Sequence, residues 1–257
     1  MKTKSLGFIG GGRITKIFLQ AFANKNVEFQ SIVVFDTNAD VINDLKQQFP
    51  QIEIAQTVEL AANQPIVFIA LHPPMIMETL GKVAAVVTKD TVVISLAAKI
   101  TIEKIGSKLQ IQNIVRMIPN ATSYINEGYN PVAFSGGFDL NSKSEVMEIF
   151  EIFGNILEVV ETKLEAYALL SAMLPTYFWF QWDELCKIGL QLGLNEEESK
   201  ASVHQTLVAA VDLMFNSRLS PEKVMDLIPV KPIGEHQAQI TEIFQTKLMG
   251  LFEKIRP

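Results

Sequence analysis

The sequence predicts an α/β protein in which a doubly wound parallel sheet precedes an all-helical second domain. Short Ile- and Val-rich runs alternate with helical patterns up to about residue 160, and only helical patterns follow Glu161. Strands that are apolar on both faces are typical of a parallel sheet covered by helices on both sides. We therefore expect the sheet domain over residues 1–160 and the helical domain over residues 161–257.

Six apolar runs are expected to form the strands of the sheet. Each run is short and is bounded by turn residues or by a helical pattern. The runs are Leu6–Ile9, Ser31–Phe35, Ile52–Ile54, Ile66–Leu71, Thr91–Leu96 and Ile114–Met117. Two later runs, Pro131–Phe134 and Ile156–Val160, could extend the sheet.

A glycine turn directly follows the first predicted strand. Gly10 and Gly12 lie between that strand and an amphipathic helical pattern. The first glycine permits a tight turn, the second lets a pyrophosphate approach the backbone, and the free N–H groups of a helix start attract an anion. Thr15 stands where this fingerprint usually has a third Gly or Ala. It is small enough to pack against the strand, but it weakens the match.

The second predicted strand ends in an acidic residue, Asp36. The dinucleotide-binding fingerprint places an acid near this position, where a carboxylate accepts hydrogen bonds from the adenosine ribose. The same charge repels a 2′-phosphate, and neither Thr37 nor Asn38 supplies a cation to reverse that preference. The order of strand, glycine turn, helix, strand and acid predicts a Rossmann-type domain that binds NAD(P)H and favours NADH. A purely structural turn is the alternative.

Composition narrows the class of protein. The chain has 257 residues, of which 48% are hydrophobic, and a net charge of -6. An acidic chain argues against nucleic acid as a partner, because phosphates demand a basic face. The single Cys186 excludes an internal disulfide and suits a reducing compartment. The start lacks the pattern of a signal peptide and no apolar run is long enough for a membrane span, so we expect a cytoplasmic protein without membrane contact.

Four helical patterns make up the second predicted domain. They cover Lys163–Gly189, Asn195–Asn216, Pro221–Leu227 and Gly234–Ile255. Asn195 and Ser220 stand where helix N-caps are expected, and acids follow each of them. The acids Glu196–Glu198 therefore indicate a helix start rather than a metal site. No His, Cys, Asp or Glu spacing in the chain predicts a bound metal.

The segment Ala166–Cys186 is unusually apolar around its whole circumference until Gln181 and Asp183. It is too interrupted for a membrane span, so a helix buried on all sides is the better interpretation. A helical domain of this size has difficulty burying such a helix alone. We expect a homodimer, or a multiple of dimers, formed through Ala166–Trp182, with burial inside one chain as the alternative.

Five short motifs occur in order along the chain. They are Gly7–Gly12, Ala70–Pro73, Ile94–Ala98, Val115–Ala121 and Glu127–Gly128. Each is modest alone, but together the sequence resembles the pyrroline-5-carboxylate reductase family over essentially its whole length. That family joins an N-terminal Rossmann domain to a C-terminal helical dimerisation domain and reduces a cyclic imine to L-proline with NAD(P)H.

The resemblance implies a set of residues that contact the cofactor. In this chain they are Gly10, Gly12, Arg13 and Ile14 at the pyrophosphate, Gln56 near the adenosine ribose, Ala70, Leu71 and Pro73 after the fourth strand, Ala97 and Ala98 near the nicotinamide, and Asn120 in the next segment.

Departures from the family pattern fall mainly on the substrate side. The family's Ser-Gly-Ser-Gly-Pro-Ala-Tyr helix start reads Ser171–Tyr177 here and has lost two glycines. Its Ser-Pro-Gly-Gly-Thr-Thr loop, which holds the proline carboxylate, reads Val230–His236 and has lost a glycine and both threonines. Lys99 also replaces the glycine after Ala-Ala, and His72 replaces a common lysine. A loop with fewer glycines wraps its N–H groups less closely around an anion, so we expect altered substrate recognition.

The candidate chemical groups lie in this altered region. His236 could protonate the imine nitrogen, since imidazole gains and loses a proton near neutral pH. Glu235 could bind an amine or act as an acid, and Tyr177 could donate to the substrate. Lys231 could receive a carboxylate. The resemblance adds Ser171 and Gly234 as substrate-binding positions.

Each of these groups also has an ordinary alternative. Acids and histidines are common at exposed helix starts, a loop lysine is usually solvated, and a tyrosine in an apolar helix usually belongs to a core. The resemblance implies an NAD(P)H-dependent imine reductase acting on a small molecule. A related dehydrogenase acting on a hydroxy acid or another imine, or a dinucleotide sensor without turnover, stays open as an alternative.

Overall fold

The structure is a computed structural model that describes residues 4–257. These residues form two compact units. The sheet unit ends at Met173 and also takes in Phe252–Pro257 at the end of the chain. The helical unit comprises Leu174–Leu251.

Eight strands form one sheet in the sheet unit. They are β1 (Ser5–Ile9), β2 (Ser31–Phe35), β3 (Glu53–Ile54), β4 (Ile66–Ile69), β5 (Val92–Ser95), β6 (Ile114–Met117), β7 (Gly128–Phe134) and β8 (Gly154–Glu158). All six expected strands are present, and both later runs extend the sheet as predicted. The helices of this unit are α1 (Arg13–Asn24), α2 (Ala39–Gln48), α3 (Val58–Ala62), α4 (Pro73–Val83), α5 (Ile102–Leu109), α6 (Leu140–Phe150) and α7 (Leu164–Tyr167).

The strands lie in the order β3-β2-β1-β4-β5-β6-β7-β8. The first six strands are parallel and follow the 3-2-1-4-5-6 order of the Rossmann fold, which confirms the predicted fold class. β7 differs, because it runs antiparallel to β6. Only a short connection, residues 118–127, joins these two strands, and a parallel return would need a longer crossover. β8 is parallel to β7, with α6 as the crossover.

Both faces of the sheet are packed, as the apolar strands require. On one face, Phe8 and Phe68 of the sheet pack with Phe18 of α1 and Phe150 of α6 in one buried cluster. On the other face, Ile9, Val67 and Val93 pack against α3, α4 and α5. Successive strand residues point to opposite faces, so the central strands β1, β2, β4, β5 and β6 contribute to both clusters. This packing presents the carboxyl ends of the parallel strands at one edge of the sheet.

The sheet unit extends past the boundary expected at residue 160. Leu164 and Ala168, which follow the last strand, are buried in a small cluster with Ile118 and Ala133 of the sheet unit. The segment after β8 therefore still belongs to this core, although it is already helical. Only from Leu174 onward does the chain leave it.

The helical unit contains α8 (Leu174–Gln191), α9 (Glu196–Asn216) and α10 (Pro221–Asp226), followed by α11 (Gln237–Ile255), whose end lies in the sheet unit. Both predicted caps are present, since the Asn195 side chain accepts from the Glu198 N–H in a capping box and Ser220 accepts from the Lys223 N–H. This unit is all-helical, as expected.

The helix expected over Lys163–Gly189 is interrupted. After α7 the chain makes a π-helical turn, Ala168–Ala172, before α8 begins at Leu174. Pro175 lacks an N–H group, so a regular helical hydrogen bond cannot continue through this position. The N–H of Met173 instead reaches back to the carbonyl of Ala168, at 3.0 Å.

The helical unit has almost no interior within one chain. Gly189 and Ser199 are its only buried residues, and no buried apolar cluster of the described chain includes any residue of 174–251. Phe180 of α8 is 68% exposed and Trp179 is 46% exposed. The single chain thus leaves open the surface that the sequence predicts to be buried. Between residues 4 and 257 no helix combines the length and apolarity needed to cross a membrane.

Candidate functional site

The predicted cofactor residues lie along one edge of the sheet. Because β1 to β6 are parallel, the segments that follow them emerge together at their carboxyl ends. The residues that the structure brings to this edge are Gly10–Ile14 after β1, Asp36 after β2, Gln56 after β3, Ala70–Pro73 after β4, Ala97 after β5 and Asn120 after β6. Open α/β sheets bind their ligands at this edge.

Position 10 of the glycine turn has no room for a side chain. The φ of Gly10 is +107°, and a Cβ there would lie 2.5 Å from the Ala70 carbonyl oxygen. The Gly10 N–H donates to the Phe35 carbonyl at the end of β2, at 2.7 Å. The turn is therefore fixed between the ends of β2 and β4, and only glycine fits it.

Gly12 differs from Gly10, because a Cβ at Gly12 would meet no atom within 4 Å. Gly12 is the N-cap of α1, and no side chain caps this helix start. The first turn of α1 contains no acidic residue that would compete for its N–H groups. Arg13 is exposed beside it, and Ile14 packs against the core. The start of α1 thus offers space and donors to an anion such as a pyrophosphate.

Thr15 takes the third small-residue position, as expected. It is completely buried, and its hydroxyl donates to the Gly10 carbonyl at 2.5 Å. A threonine therefore fits between helix and strand here and adds a hydrogen bond that stabilises the turn.

Asp36 is held directly beside the glycine turn. Its Oδ2 accepts from the Gly11 N–H at 2.7 Å, and its Oδ1 accepts from the Asn38 N–H at 2.8 Å. A carboxylate oxygen has two lone pairs, so each oxygen retains one acceptor site. Within the described chain, no lysine or arginine pairs with Asp36. The carboxylate is therefore oriented but not neutralised.

A buried ionic cluster of Arg116, Glu161 and Glu165 lies next to the segment that follows β5. Arg116 of β6 is completely buried, and its Nη2 donates to Glu165 Oε1 at 2.5 Å while its Nη1 donates to Glu161 Oε1 at 2.9 Å. Nη2 also lies 3.4 Å from the Ala97 carbonyl oxygen. The cluster thus connects the segment after β8 to the residue that the resemblance places near the nicotinamide.

The same two carboxylates hold the loop that follows β5. The Lys99 N–H donates to Glu165 Oε1 at 3.1 Å, and the Ile102 N–H donates to Glu161 Oε1 at 2.7 Å. Both ends of the loop 97–102 are therefore attached to the ionic cluster.

The interpretation of the sequence missed this cluster. Arg116 was considered only as part of the motif Val115–Ala121. An arginine inside the apolar strand Ile114–Met117 nevertheless requires a buried partner of opposite charge. Glu161 and Glu165, four residues apart after the last strand, were the available partners. Two polar atoms near the cluster, Ser95 Oγ and Arg116 Nε, have no hydrogen-bond partner within the described residues.

Asn120 and Ser171 are brought together, but their polar groups are already engaged. Asn120 Nδ2 donates to the Ser171 carbonyl at 3.0 Å, and Asn120 Oδ1 accepts from the N–H and hydroxyl of Thr122, both at 2.9 Å. The Ser171 hydroxyl donates to the Tyr167 carbonyl at 2.8 Å. The Asn120 side chain therefore connects the segment after β6 to the π-helical turn, and the Ser171 hydroxyl is bonded within its own helical segment.

The other substrate-side candidates belong to the helical unit. Lys231 and Gly234 close one turn, in which the Gly234 N–H donates to the Lys231 carbonyl at 3.0 Å. Glu235 and His236 follow in the same turn, with 3.4 Å between His236 Nε2 and Glu235 Oε1, and both are exposed. Tyr177 lies on α8, half-buried against Phe244, with 5.9 Å between ring centroids. Burial raises the pKa of the Tyr177 phenol above its ordinary value, because the charged phenolate is less well solvated there.

Residues 4–257 contain no group of three or more His, Cys, Asp or Glu side chains placed to hold a metal ion.

Comparison with known proteins gives matches along almost the whole chain. A family model described as NADP oxidoreductase coenzyme F420-dependent matches residues 5–99. The pyrroline-5-carboxylate reductase of Staphylococcus aureus is 25% identical over 253 residues, which is 96% of this chain and 92% of the relative. The pyrroline-5-carboxylate reductase of Corynebacterium melassecola is 23% identical over 252 residues, covering 96% of this chain and 93% of the relative.

Solved structures show the same fold. The pyrroline carboxylate reductase of Plasmodium falciparum, solved with NADP bound, superposes with a TM-score of 0.78 at 22% identity and covers 99% of this chain and 96% of that one. The Coxiella burnetii pyrroline-5-carboxylate reductase superposes with a TM-score of 0.70 at 24% identity, covering 99% and 95%. The likeness to the curated relatives confirms the resemblance carried by the five motifs: along almost its whole length the chain is similar to pyrroline-5-carboxylate reductases, which are NAD(P)-dependent oxidoreductases.

Proposed function

We propose that this protein reduces 1-pyrroline-5-carboxylate, or a related cyclic imine, with NAD(P)H, and that it favours NADH. The observation that carries the proposal is the edge of the sheet, where a glycine turn, an open helix start and an oriented acid follow β1 and β2. These residues fit a dinucleotide, and bound NAD(P)H would supply a hydride at the nicotinamide. The chain would supply orientation of the two reactants and the charges around them.

The acid decides the choice of cofactor in this proposal. The free acceptor sites of Asp36 suit the two hydroxyl groups of an adenosine ribose, whereas the 2′-phosphate of NADPH would meet an unneutralised carboxylate. The neighbouring Thr37 and Asn38 carry no positive charge. Rejection of NADPH therefore rests on Asp36 itself.

We expect wild-type protein to bind NADH more tightly than NADPH, and Asp36→Ser to gain affinity for NADPH. The substitution removes the repelling charge and keeps a hydroxyl that can bond to the ribose. Dissociation constants for both cofactors, from cofactor fluorescence, measure this directly.

Asp44→Ser is the matched control, since it removes the same charge from an exposed position of α2, the helix that follows Asp36. This control should leave the ratio of the two dissociation constants unchanged. Tighter binding of NADPH than of NADH by the wild type would contradict the proposed preference.

The residues of the turn 230–236 support a reductase whose recognition of its substrate differs from that of the family. Lys231 and His236 offer a cation and a proton donor in one exposed turn, but Glu235 adds a negative charge between them. A panel of small cyclic imines, assayed by oxidation of NADH, separates an enzyme from a dinucleotide sensor. Identification of the product then separates reduction of pyrroline-5-carboxylate from reduction of another imine. Absence of oxidation with every imine would refute the proposed activity.

We also propose that two chains associate through the helical unit. This unit has no buried apolar cluster of its own, and its exposed side chains include Trp179 and Phe180 of α8. Large exposed apolar surfaces of this kind mark interfaces. Residues of the segment Ala166–Trp182 would then be buried by the partner, as the sequence predicts. A cytoplasmic location remains a prediction from the sequence.

Light scattering at low micromolar concentration should give about twice the 28.6 kDa mass of one chain. Phe180→Glu should shift the mass toward that of one chain, because it places a charge in the proposed interface. Leu140→Glu is the control, as Leu140 is 79% exposed in the sheet unit. A folded wild-type monomer under these conditions would rule out the proposed dimer.

A further inference from the structure

Lys99 has a backbone conformation that residues with a side chain rarely adopt. Its φ is +74°, in the left-handed region. The other non-glycine residues with positive φ in the described chain are Asn26, Gln110 and Asn126. Asparagine tolerates this region, and Gln110 closes helix α5, so Lys99 is the case without an ordinary explanation.

The structure holds Lys99 in this conformation through a buried acid. The Lys99 N–H donates to Glu165 Oε1 at 3.1 Å, and Glu165 is itself fixed by Arg116. Strained residues persist where their surroundings over-determine them, and they concentrate at ligand sites. A glycine would adopt this conformation without strain, so the lysine side chain itself requires a reason.

That reason is not neutralisation of the nearby acids. Glu161 and Glu165 are already paired with Arg116, and within the described residues the Lys99 ammonium forms neither an ion pair nor a hydrogen bond. Lys99 is exposed. Its charge is therefore available to a ligand at the carboxyl edge of the sheet.

The strand order places this charge away from the adenosine half of a dinucleotide. Asp36 follows β2 and Lys99 follows β5, three strand positions apart in the order β2-β1-β4-β5. At about 4.8 Å per strand, this separates the two segments by roughly 14 Å. A 2′-phosphate at the ribose beside Asp36 is thus not the anion that Lys99 would meet.

We propose that Lys99 is a specificity-determining residue that binds the carboxylate of the substrate, and that Glu165 positions it. The inference rests on the proposed function, because it places the reacting end of the cofactor beside Ala97. An ammonium group carries three donors and a positive charge, so it forms charge-assisted hydrogen bonds to a carboxylate. The substrate class is accordingly a small cyclic imine that carries a carboxylate.

The test compares ligands with and without this carboxylate. L-Proline and pyrrolidine are titrated by calorimetry into protein saturated with NAD⁺, using wild type, Lys99→Met and Lys99→Gly. Both variants should bind L-proline about 10- to 100-fold more weakly, the usual effect of losing a charge-assisted hydrogen bond. Pyrrolidine binding should change less than about twofold, because that ligand lacks the anion.

Lys89→Met is the control, since Lys89 is an exposed lysine at the opposite end of the same strand, β5. It should leave L-proline binding unchanged. Lys99→Gly distinguishes charge from strain, because it relieves the backbone while removing the ammonium group. If Lys99→Gly binds L-proline like the wild type, or if both ligands weaken equally, the inference is overturned.

Failure of the proposed function gives a different result. If the wild type fails to oxidise NADH with any imine of the panel, the proposed activity is refuted. Selective loss of L-proline binding in Lys99→Met would still support the carboxylate site in that case. Conversely, an active enzyme whose KM for 1-pyrroline-5-carboxylate is unchanged in Lys99→Met retains the function and loses the inference. Wild-type protein that binds L-proline no better than pyrrolidine also overturns it.

Discussion

Replacing Arg116 by methionine should lower the free energy of unfolding by about 3–5 kcal/mol. Arg116 is completely buried, and so is its partner Glu165, at 2.5 Å. Methionine fills similar space but leaves the Glu165 carboxylate without its cation inside the protein. Denaturation by urea, followed by circular dichroism at one fixed protein concentration, measures the loss.

Two further variants separate the buried pair from ordinary surface charge. The double variant Arg116→Met/Glu165→Leu should recover much of the stability, because it removes both fully buried charges and leaves only Glu161, which is partly exposed, without its cation. Lys82→Met breaks the exposed pair with Glu78, at 2.7 Å, and should cost less than about 1 kcal/mol. An Arg116→Met protein as stable as Lys82→Met would show that the cluster does not stabilise the fold.

The parts of the fold that follow local rules were predictable from the sequence. Apolar runs of three to six residues bounded by turn residues or helical patterns became strands because both faces of a parallel sheet need apolar side chains. The glycine turn was equally readable, since Gly10 has a φ that other residues avoid. Asn195 and Ser220 cap helices through their own side chains, which is also a local property.

What escaped prediction depends on contacts between distant segments. The antiparallel direction of β7 follows from the length of its connection to β6, which no periodicity reveals. The Arg116 cluster joins residues 45 and 49 positions apart. Likewise, the side chain of Asn120 is taken up by Thr122 and Ser171, a geometry that a motif cannot show. The sequence thus indicates which residues reach the edge of the sheet, but not which of them remain free to bind.

We expect weak or absent formation of L-proline, because the turn Val230–His236 departs from the family's carboxylate-binding loop. Aligned amides and hydroxyls that hold a carboxylate contribute roughly 1.5–3 kcal/mol each as charge-assisted hydrogen bonds. In this chain the turn Val230–His236 has lost a glycine and both threonines of the family pattern, and it places the exposed Glu235 there instead. Lys231, in the same turn, would offset only part of that loss.

We therefore expect a catalytic efficiency on 1-pyrroline-5-carboxylate on the order of a hundredfold below that of the Staphylococcus aureus relative, assayed side by side by NADH and NADPH oxidation. Glu235→Thr should raise the efficiency, since it removes a repelling charge and restores a hydroxyl donor. Glu242→Thr, which removes an exposed acid from α11 of the same helical unit, should not. If the wild type matches its relative, the altered turn does not limit recognition of the carboxylate. If Glu235→Thr behaves like Glu242→Thr, Glu235 does not face the substrate, and the loss must come from the missing glycine and threonines alone.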